Sequence, residues 1–266
     1  SIKQINTPAL PTVELPSVLS TMRPSSKAES NTDESAELPE EEIEEFPISK
    51  LNQFGESKES GIKVTGTIAK AINDAKEGSV IIIPAGSYNE SLTITKRIYF
   101  VAEGEVILLS DGKGDTITVK TGGVAFKGLT IQQNDSQAAG AINIVSGSAL
   151  FEKCSFSSRY MPTIAIKGTS VARFIECDIK SHDSPAINIS QNVQACFENT
   201  RIVGSKSSGC IMRGTSKAKF TSCTISKHSK SGIIAADNTE FLIEDSTISD
   251  CGYAGLEISR SGFFTV

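Results

Sequence analysis

Six cysteines, two histidines and a row of basic residues are the side chains of this 266-residue chain whose type and spacing suggest chemistry. His182 and His228 stand 46 residues apart, and Cys154, Cys177 and Cys223 are separated by 23 and then 46. Imidazole and thiolate together would suit a transition metal, but the chain has no C-x-x-C pair, so a zinc ribbon is excluded by spacing. Glycoside hydrolysis needs two carboxylates facing each other across a cleft. Nucleic-acid binding needs aromatic side chains interleaved with a basic surface. Which of these the chain can perform depends on the residues its fold brings side by side.

The number 23 recurs. A pattern of the form F-x-x-C-x-I begins at Phe126, Phe151, Phe174, Phe197, Phe220 and Ile243, at intervals of 25, 23, 23, 23 and 23 residues. A second apolar pair keeps phase with it: Ile142/Ile144, Ile164/Ile166, Ile187/Ile189, Cys210/Met212, Ile233/Ala235 and Leu256/Ile258. A third slot holds Val124, Ala149, Ala172, Ala195, Ala218 and Phe241. A fixed period in this range means stacked units, none of which can bury its apolar face alone. Every pair is i, i+2, the period of a strand, and no window of ten residues keeps the spacing of a repeat helix. Leucine-rich repeats are excluded by the scarcity of Leu. The spacing therefore predicts a parallel β-helix of three short strands per coil, with equivalent residues stacked at roughly 4.8 Å. Its interior ladders are Phe, Ile, a small residue and a Cys/Thr/Ser slot; alternating large and small ladders suits a close-packed tube. Gly128, Lys153, Glu176, Asn199, Ser222 and Asp245 mark a tight bend.

The opening of the repeat region carries a resemblance. AINDAKEGSVIIIPAGSYNESLTITKRIYFVAEGEVIL, from Ala71 to Leu108, resembles the start of pectin-lyase-like right-handed parallel β-helix proteins, which have a short helix, then P-x-G-x-Y, then E-x-L-x-I. The matching residues are Pro84, Gly86, Tyr88, Glu90, Leu92 and Ile94, and the similarity runs from about residue 61 to 266. It implies a right-handed, single-stranded, all-β parallel β-helix with an N-terminal capping helix. Relatives with this fold include polysaccharide-acting enzymes and non-enzymatic proteins such as F-box-linked ubiquitin-ligase adaptors. The enzymes' motifs are not matched. The polygalacturonase set (N-T-D, D-D, G-H-G, R-I-K) is reduced to Asn31-Thr32-Asp33 in the N-terminal stretch, and neither the D-F-I-F-G of pectin methylesterases nor the R-x-P-x-x-R of pectate lyases occurs.

Placed on coils, the reactive residues sort themselves. Cys154, Cys177 and Cys223 share an inward slot and Cys210 faces in on another strand, where buried thiols act as small hydrophobes. Cys196 faces out and Cys251 lies in a turn. His182 and His228 share a turn slot with Arg159, Ser205 and Cys251. Two rungs separate the histidines by roughly 10 Å, too far to share a metal directly, so both read as solvated turn residues and neither a metal nor a cofactor is expected. Arg159, Lys180, His182, Lys206, Lys227, His228 and Lys230 form a basic stripe along that edge, suited to an acidic partner. Outward positions carry no carboxylate pair; Asp178 and Arg201, on neighbouring rungs, read as a surface ion pair. Ile211 and Ile234, an apolar pair on neighbouring rungs beside Arg213, are expected to be exposed and to join a contact surface.

Charge divides the chain. Residues 1–60 hold 5 Lys/Arg against 12 Asp/Glu and six of the nine prolines, leaving +2 for the rest. That stretch, with its block from Asp33 to Glu45, reads as a disordered acidic tail that itself could meet the basic stripe. An F-box start at Leu38-Pro39-Glu40-Glu41 is disfavoured by Pro47 and by Glu44 and Glu45 at positions that should be apolar. Residues 67–77 predict one helix, N-capped by Thr67 or Thr65, with Ile68, Ala71, Ile72 and Ala75 on the face that covers the first coil. No apolar run is long enough to span a membrane. Unpaired thiols and an N-terminus without an apolar leader favour a cytoplasmic setting over a secreted one. The ladder arithmetic predicts the next large apolar side chain at Val266, with Phe263 and Phe264 beginning a further coil, so the solenoid is expected to continue past Val266 or to dock there. The resulting expectation is a non-enzymatic β-helix module that presents an elongated surface to a protein, or to a glycan, and not to nucleic acid. The alternative is a divergent carbohydrate-active enzyme, a lyase, hydrolase or esterase whose active residues lie elsewhere.

Overall fold

The structure, a computed structural model, describes residues 61–112, 114–134, 138–259 and 263–265, all within one compact unit. The acidic stretch 1–60, the Leu38-Pro39-Glu40-Glu41 motif and Val266 lie outside the described residues. The rest is a parallel β-helix of about eight coils. The first strands of the coils, Leu92–Ile94, Ile117–Val119, Ile142–Ile144, Ile164–Ile166, Ile187–Ile189, Cys210–Met212, Ile233–Ala236 and Leu256–Ser259, form one eight-stranded parallel sheet in chain order. The second strands (Ser148–Glu152, Val171–Ile175, Gln194–Glu198, Lys217–Thr221, Glu240–Glu244, Phe263–Thr265) and third strands (Ser155–Ser158, Asp178–Ser181, Arg201–Ser205, Thr224–His228, Thr247–Ser249) pair with their counterparts one coil away. In the first coils these two strands are continuous, as Val80–Asn89, Tyr99–Leu109 and Val124–Gln133. The final strand pairs Phe264 with Phe241, so the further coil does begin where the ladder arithmetic placed it.

The interior follows the ladders. Phe126, Phe151, Phe174, Phe197 and Phe220 stack face to face, with centroids 4.9–5.0 Å apart and planes within 8°. That separation is the inter-strand spacing itself, so in-register Phe residues have no other arrangement available. Phe100 heads the stack, 4.8 Å from Phe126. It lies 26 residues before Phe126, because register shifts between Val101 and Val106, and the extra residues hid it from the repeat pattern. Val124, Ala149, Ala172, Ala195 and Ala218 are buried in the same strands two residues before each Phe. A ring-sized side chain there would not fit beside the stack.

The bend between second and third strands is left-handed in every coil from Gly128 on. Gly128, Lys153, Glu176, Asn199, Ser222 and Asp245 have φ between 48° and 77°. Such a corner leaves carbonyls pointing into the tube, and a buried carbonyl needs a donor. The Cys/Thr/Ser slot one residue later supplies it. The Cys154 thiol donates to the carbonyls of Phe126 and Glu152, Cys177 to Phe151 and Ile175, and Cys223 to Phe197 and Thr221. Thr200 and Ser246 donate from the same position, to Phe174 and Glu198 and to Phe220 and Glu244.

The first coil is closed by helix α1, Ile68–Asp74, whose Thr67 N-cap accepts from the Lys70 amide at 3.2 Å. Ile68, Ala71, Ile72 and Ala75 are buried on the tube end, as the apolar face predicted. The helix is shorter than residues 67–77. Ala75 is extended, and the ammonium of Lys96 takes the carbonyls of Ile72, Asn73 and Ala75 at 3.1, 2.9 and 3.0 Å, which ends the helical ladder. At the other end the Glu90 carboxylate accepts from the amides of Ile68 and Ala69 at 2.8 and 2.9 Å. The E-x-L-x-I run is thereby explained: Leu92 and Ile94 begin the inward first-strand ladder, while Glu90 before them and Lys96 after them grip α1 by its two ends. In P-x-G-x-Y, the Tyr88 hydroxyl donates to the Pro84 carbonyl at 2.9 Å across a register shift at Pro84/Gly86.

Candidate functional site

The two turn histidines are not equivalent. His182 is exposed, with Nδ1 2.9 Å from Asp183 Oδ1. His228 is 1% exposed, which corrects the expectation of a solvated turn. Its Nε2 lies 3.1 Å from the Ile202 carbonyl, an acceptor, so Nε2 carries the proton and the buried Nδ1 has no partner. Burial holds this imidazole below its ordinary pKa, partly offset by the bond to Ile202. The physical reason lies one residue upstream. Gly204, Lys227 and Asp250 have φ of 72°, 61° and 53°, whereas Ser158 and Ser181 at the equivalent point have no positive φ. A left-handed residue reverses the side-chain alternation of a strand. In the later coils Ser205 and His228 are therefore buried and Cys251 half-buried, and in the earlier ones Arg159 and His182 are not.

The basic stripe is correspondingly broken. Lys206 Nζ lies 2.9 Å from Asp183 Oδ1, and that ammonium, then His182, holds the Asp183 carboxyl below its ordinary range. Lys180 pairs with Asp178 at 3.2 Å, and Arg201, in register with Asp178, is 3.9 Å away. Arg159 lies over the Tyr160 ring at 5.1 Å. His228 drops out into the interior. Among the described residues, Arg159, Lys227 and Lys230 are exposed and make no ion pair. Beside Arg159 the surface holds a shallow hollow of about 400 Å3, lined by Asn134, Ser157, Ser158, Arg159, Lys180, Ser181 and His182; neither Lys227 nor Lys230 reaches it. Ser158 is 3% exposed and its hydroxyl has no hydrogen-bond partner.

The outer faces of the strands were the other place to look. Along the first strands the outward column reads Thr93, Thr118, Asn143, Ala165, Asn188, Ile211, Ile234 and Glu257, each in register with the next. Ile211 and Ile234 are neighbours as expected, but half-buried and not exposed. Arg213 is exposed, in the turn that follows Met212. Glu257, the one carboxylate in the column, accepts from Ser231 Oγ at 2.6 Å. Asp115, which the sequence reading passed over, accepts from the Gly140 amide at 2.8 Å and from Asn143 Nδ2 at 2.7 Å; it staples adjacent coils. On the second strands Glu152, Glu198, Glu240 and Glu244 are each bound to a base, respectively Lys127 at 2.9 Å, Arg173 at 2.8 Å, Lys217 at 3.3 Å and Lys219 at 2.9 Å. None of these carboxylates faces another without an intervening cation. Two outward positions of the second strands, Ala125 and Leu150, are buried, with Tyr99 beside them and Val80, Val171 and Ile175 packed against them.

All six cysteines are unpaired. Burial pushes the Cys154 thiol up to about 12 and raises Cys177, Cys210 and Cys223 as well, so none of these four is a thiolate at neutral pH. Among the described residues no three His, Cys, Asp or Glu side chains gather as a metal site, and no helix is long and apolar enough to cross a membrane.

With this geometry in hand, comparison with known proteins fixes the class. Residues 115–266, more than half of the chain, match the family described as right handed beta helix region, and the chain belongs to that family. No curated protein matches it. Among solved structures it is similar to the pectin methylesterase of Aspergillus niger, with a TM-score of 0.54 and 13% identity over 77% of this chain and 87% of that one. It is similar also to the pectin methylesterase from carrot, with a TM-score of 0.53 and 15% identity over 79% and 89%. At such identities the likeness is one of fold: a right-handed parallel β-helix of the pectin-lyase-like kind.

Proposed function

We propose that this β-helix is a non-enzymatic binding module that presents the edge between its third and first strands to an elongated anionic partner, an acidic glycan or an acidic protein segment. The observation that carries the reading is that Arg159, Lys227 and Lys230 stand exposed and without a carboxylate partner among the described residues on one edge, while the strand-borne bases Lys127, Arg173, Lys217 and Lys219 are neutralised by neighbours. Arg159 and Lys227 are about three rungs apart, roughly 14 Å, a span suited to successive charges of an extended polymer. The hollow beside Arg159 would take a single acidic group. Ion pairs within the second strands leave no free carboxylate pair there for general acid and base, which argues against glycoside hydrolysis on that face.

The test is binding of the full chain to polygalacturonate and to a poly-glutamate peptide over a range of salt. Affinity that falls with ionic strength, and falls again in an Arg159→Ala/Lys227→Ala/Lys230→Ala variant, is the expected result. The reading is overturned if the triple variant binds as the parent does. It is overturned equally if the polygalacturonate gains new reducing ends or unsaturated products during incubation, or if a methyl-esterified pectin incubated in parallel releases methanol, either of which would make the protein a carbohydrate-active enzyme.

A further inference from the structure

The turn edge carries apolar side chains as well as cations. Among the described residues three large apolar side chains are exposed: Met161 at 38%, Ile258 at 41% and Tyr253 at 77%. Single exposed apolar residues are ordinary; what calls for a cause is that two of the three share one slot of the coil. Met161 and Tyr253 are 92 residues apart, four periods of 23. Met161, Ser184, Ser207, Lys230 and Tyr253 each stand three residues before a first-strand residue, and those residues, Ile164, Ile187, Cys210, Ile233 and Leu256, are in register. The Lys230 amide bonds to the Ser207 carbonyl at 3.1 Å and the Tyr253 amide to the Lys230 carbonyl at 3.4 Å, so the slot is itself a ladder there. It sets an apolar side chain at each end of a line about 19 Å long, four steps of the inter-strand spacing. Arg159 stands two residues before Met161, and Lys230 one rung from Tyr253.

We propose that this line is the docking site for an extended acidic segment of a partner protein, with one apolar side chain of the segment on Tyr253, a second on Met161 and carboxylates between them. The inference rests on the binding-edge reading above and chooses its partner. Tyr, Met and Arg are the residue types enriched where proteins meet, and a flexible thioether adapts its shape to an apolar side chain. A glycan acid would need the cations alone. The segment is extended because the features lie along the tube axis on one line. It is read through side chains, because the amides of Asp183, Lys206, Ser229 and Gly252 already bond to carbonyls of the preceding coil and are not available to an added strand. An extended chain advances about 3.3 Å per residue and turns alternate side chains to one side, so the line matches about six residues. The fitting pattern is apolar at the first and seventh positions and acidic at the third and fifth, which puts all four side chains on the edge.

The probe is a fluorescein-labelled heptapeptide of that pattern, with Phe at the first and seventh positions, Glu at the third and fifth and Thr elsewhere, measured by anisotropy against the full chain. Its control exchanges the last two residues, which turns one ring away from the edge. The control should bind about tenfold more weakly, and Tyr253→Ser and Met161→Ser should each cost the probe about tenfold, while Tyr253→Phe costs nothing. Polygalacturonate binding should be the same in all three variants. Both side chains are exposed, so the variants keep the fold. Equal binding of the two peptides overturns the proposal. So does indifference to both Ser variants when the Arg159→Ala/Lys227→Ala/Lys230→Ala variant loses peptide and polygalacturonate alike; the charged edge then stands and the apolar anchors fall. A triple variant that binds both as the parent does removes the edge and this inference with it. An equal loss of polygalacturonate binding in Tyr253→Ser overturns the choice of partner, because it assigns the ring to a sugar.

Discussion

Removing either grip on α1 should release the cap of the solenoid. The perturbation is Glu90→Ala. The bond to the Ile68 amide is part-buried and the one to Ala69 is solvent-accessible. Taking these at about 1.5 and about 0.5 kcal/mol, with about 0.5 kcal/mol for a carboxylate at a helix N-terminus, the local loss is about 2.5 kcal/mol. A seven-residue helix has no stability of its own, since isolated helices shorter than about 12 residues are marginal. The loss therefore appears as opening of α1 against the tube and not as fraying. Hydrogen exchange at the Ala71 and Ala75 amides, which bond to Thr67 and Ala71, should accelerate by about 60-fold, 1.4 kcal/mol being a factor of ten. Lys96→Met, which removes three bonds at the opposite end, should do the same to within a few-fold. Because both residues hold one element, Glu90→Ala/Lys96→Met should cost less than the two single losses added together. Exchange at those amides unchanged by Glu90→Ala, or strictly additive costs in the double variant, would refute the account of the motif.

Three further outcomes are expected. Ser222 adopts φ 55°, so Ser222→Gly should raise stability by about 0.5–1 kcal/mol and Ser222→Val should lower it by at least as much, read by denaturant midpoint at unchanged m-value. His228 is buried neutral, so its contribution is fully present above the ordinary imidazole pKa of 6.5 and is lost as pH falls below it. In His228→Gln, which keeps a donor for the Ile202 carbonyl, the slope of thermal stability just below pH 6.5 should flatten; an unchanged slope would place the titration elsewhere. In the native protein a thiol reagent should label Cys251 and, more slowly, Cys196, leaving Cys154, Cys177, Cys210 and Cys223 to react only after unfolding; prompt labelling of any of those four would contradict the interior ladder.

Repetition made the fold legible. A strand period of two inside a coil period of 23 leaves few architectures, and in-register stacking then places every interior residue. What the repeat does not encode was misread. His228 was misplaced because parity along a strand holds only while φ stays negative, and nothing in Ser226-Lys227-His228 announces a left-handed lysine; Gly204, one coil earlier in that slot, was the available signal. Glu90 was recognised by likeness, but its role needed the position of α1. Lys96, two residues beyond the motif, carried no pattern at all. Ala125 and Leu150 sit at outward positions of the alternation yet are buried, because Tyr99, Val80, Val171 and Ile175 from neighbouring coils pack around them, a contact the period of two does not encode.

The mixed Cys/Thr/Ser slot shows how a chemical reading of sequence can be displaced by a structural requirement. Each left-handed bend turns two carbonyls into the tube, and an unpartnered buried carbonyl costs about 1–3 kcal/mol. The carbonyls of Ile175, Glu198, Thr221 and Glu244 also accept a backbone amide from the preceding coil, so the slot's single proton is shared between that carbonyl and the one of the Phe ladder, and the chain uses Cys at 154, 177 and 223, Thr at 200 and Ser at 246 for the same two contacts. Interchangeability of that kind is what a hydrogen-bond requirement produces and what a catalytic or metal-binding role would forbid, since hydroxyls cannot replace thiolates in either. The thiols therefore belong to the scaffold. The same reasoning assigns the Phe and Ile ladders to packing and the second-strand ion pairs to the sheet surface. Residues that satisfy no such requirement are where the proposed binding edge is to be tested, and along the turn edge these are Arg159, Lys227 and Lys230.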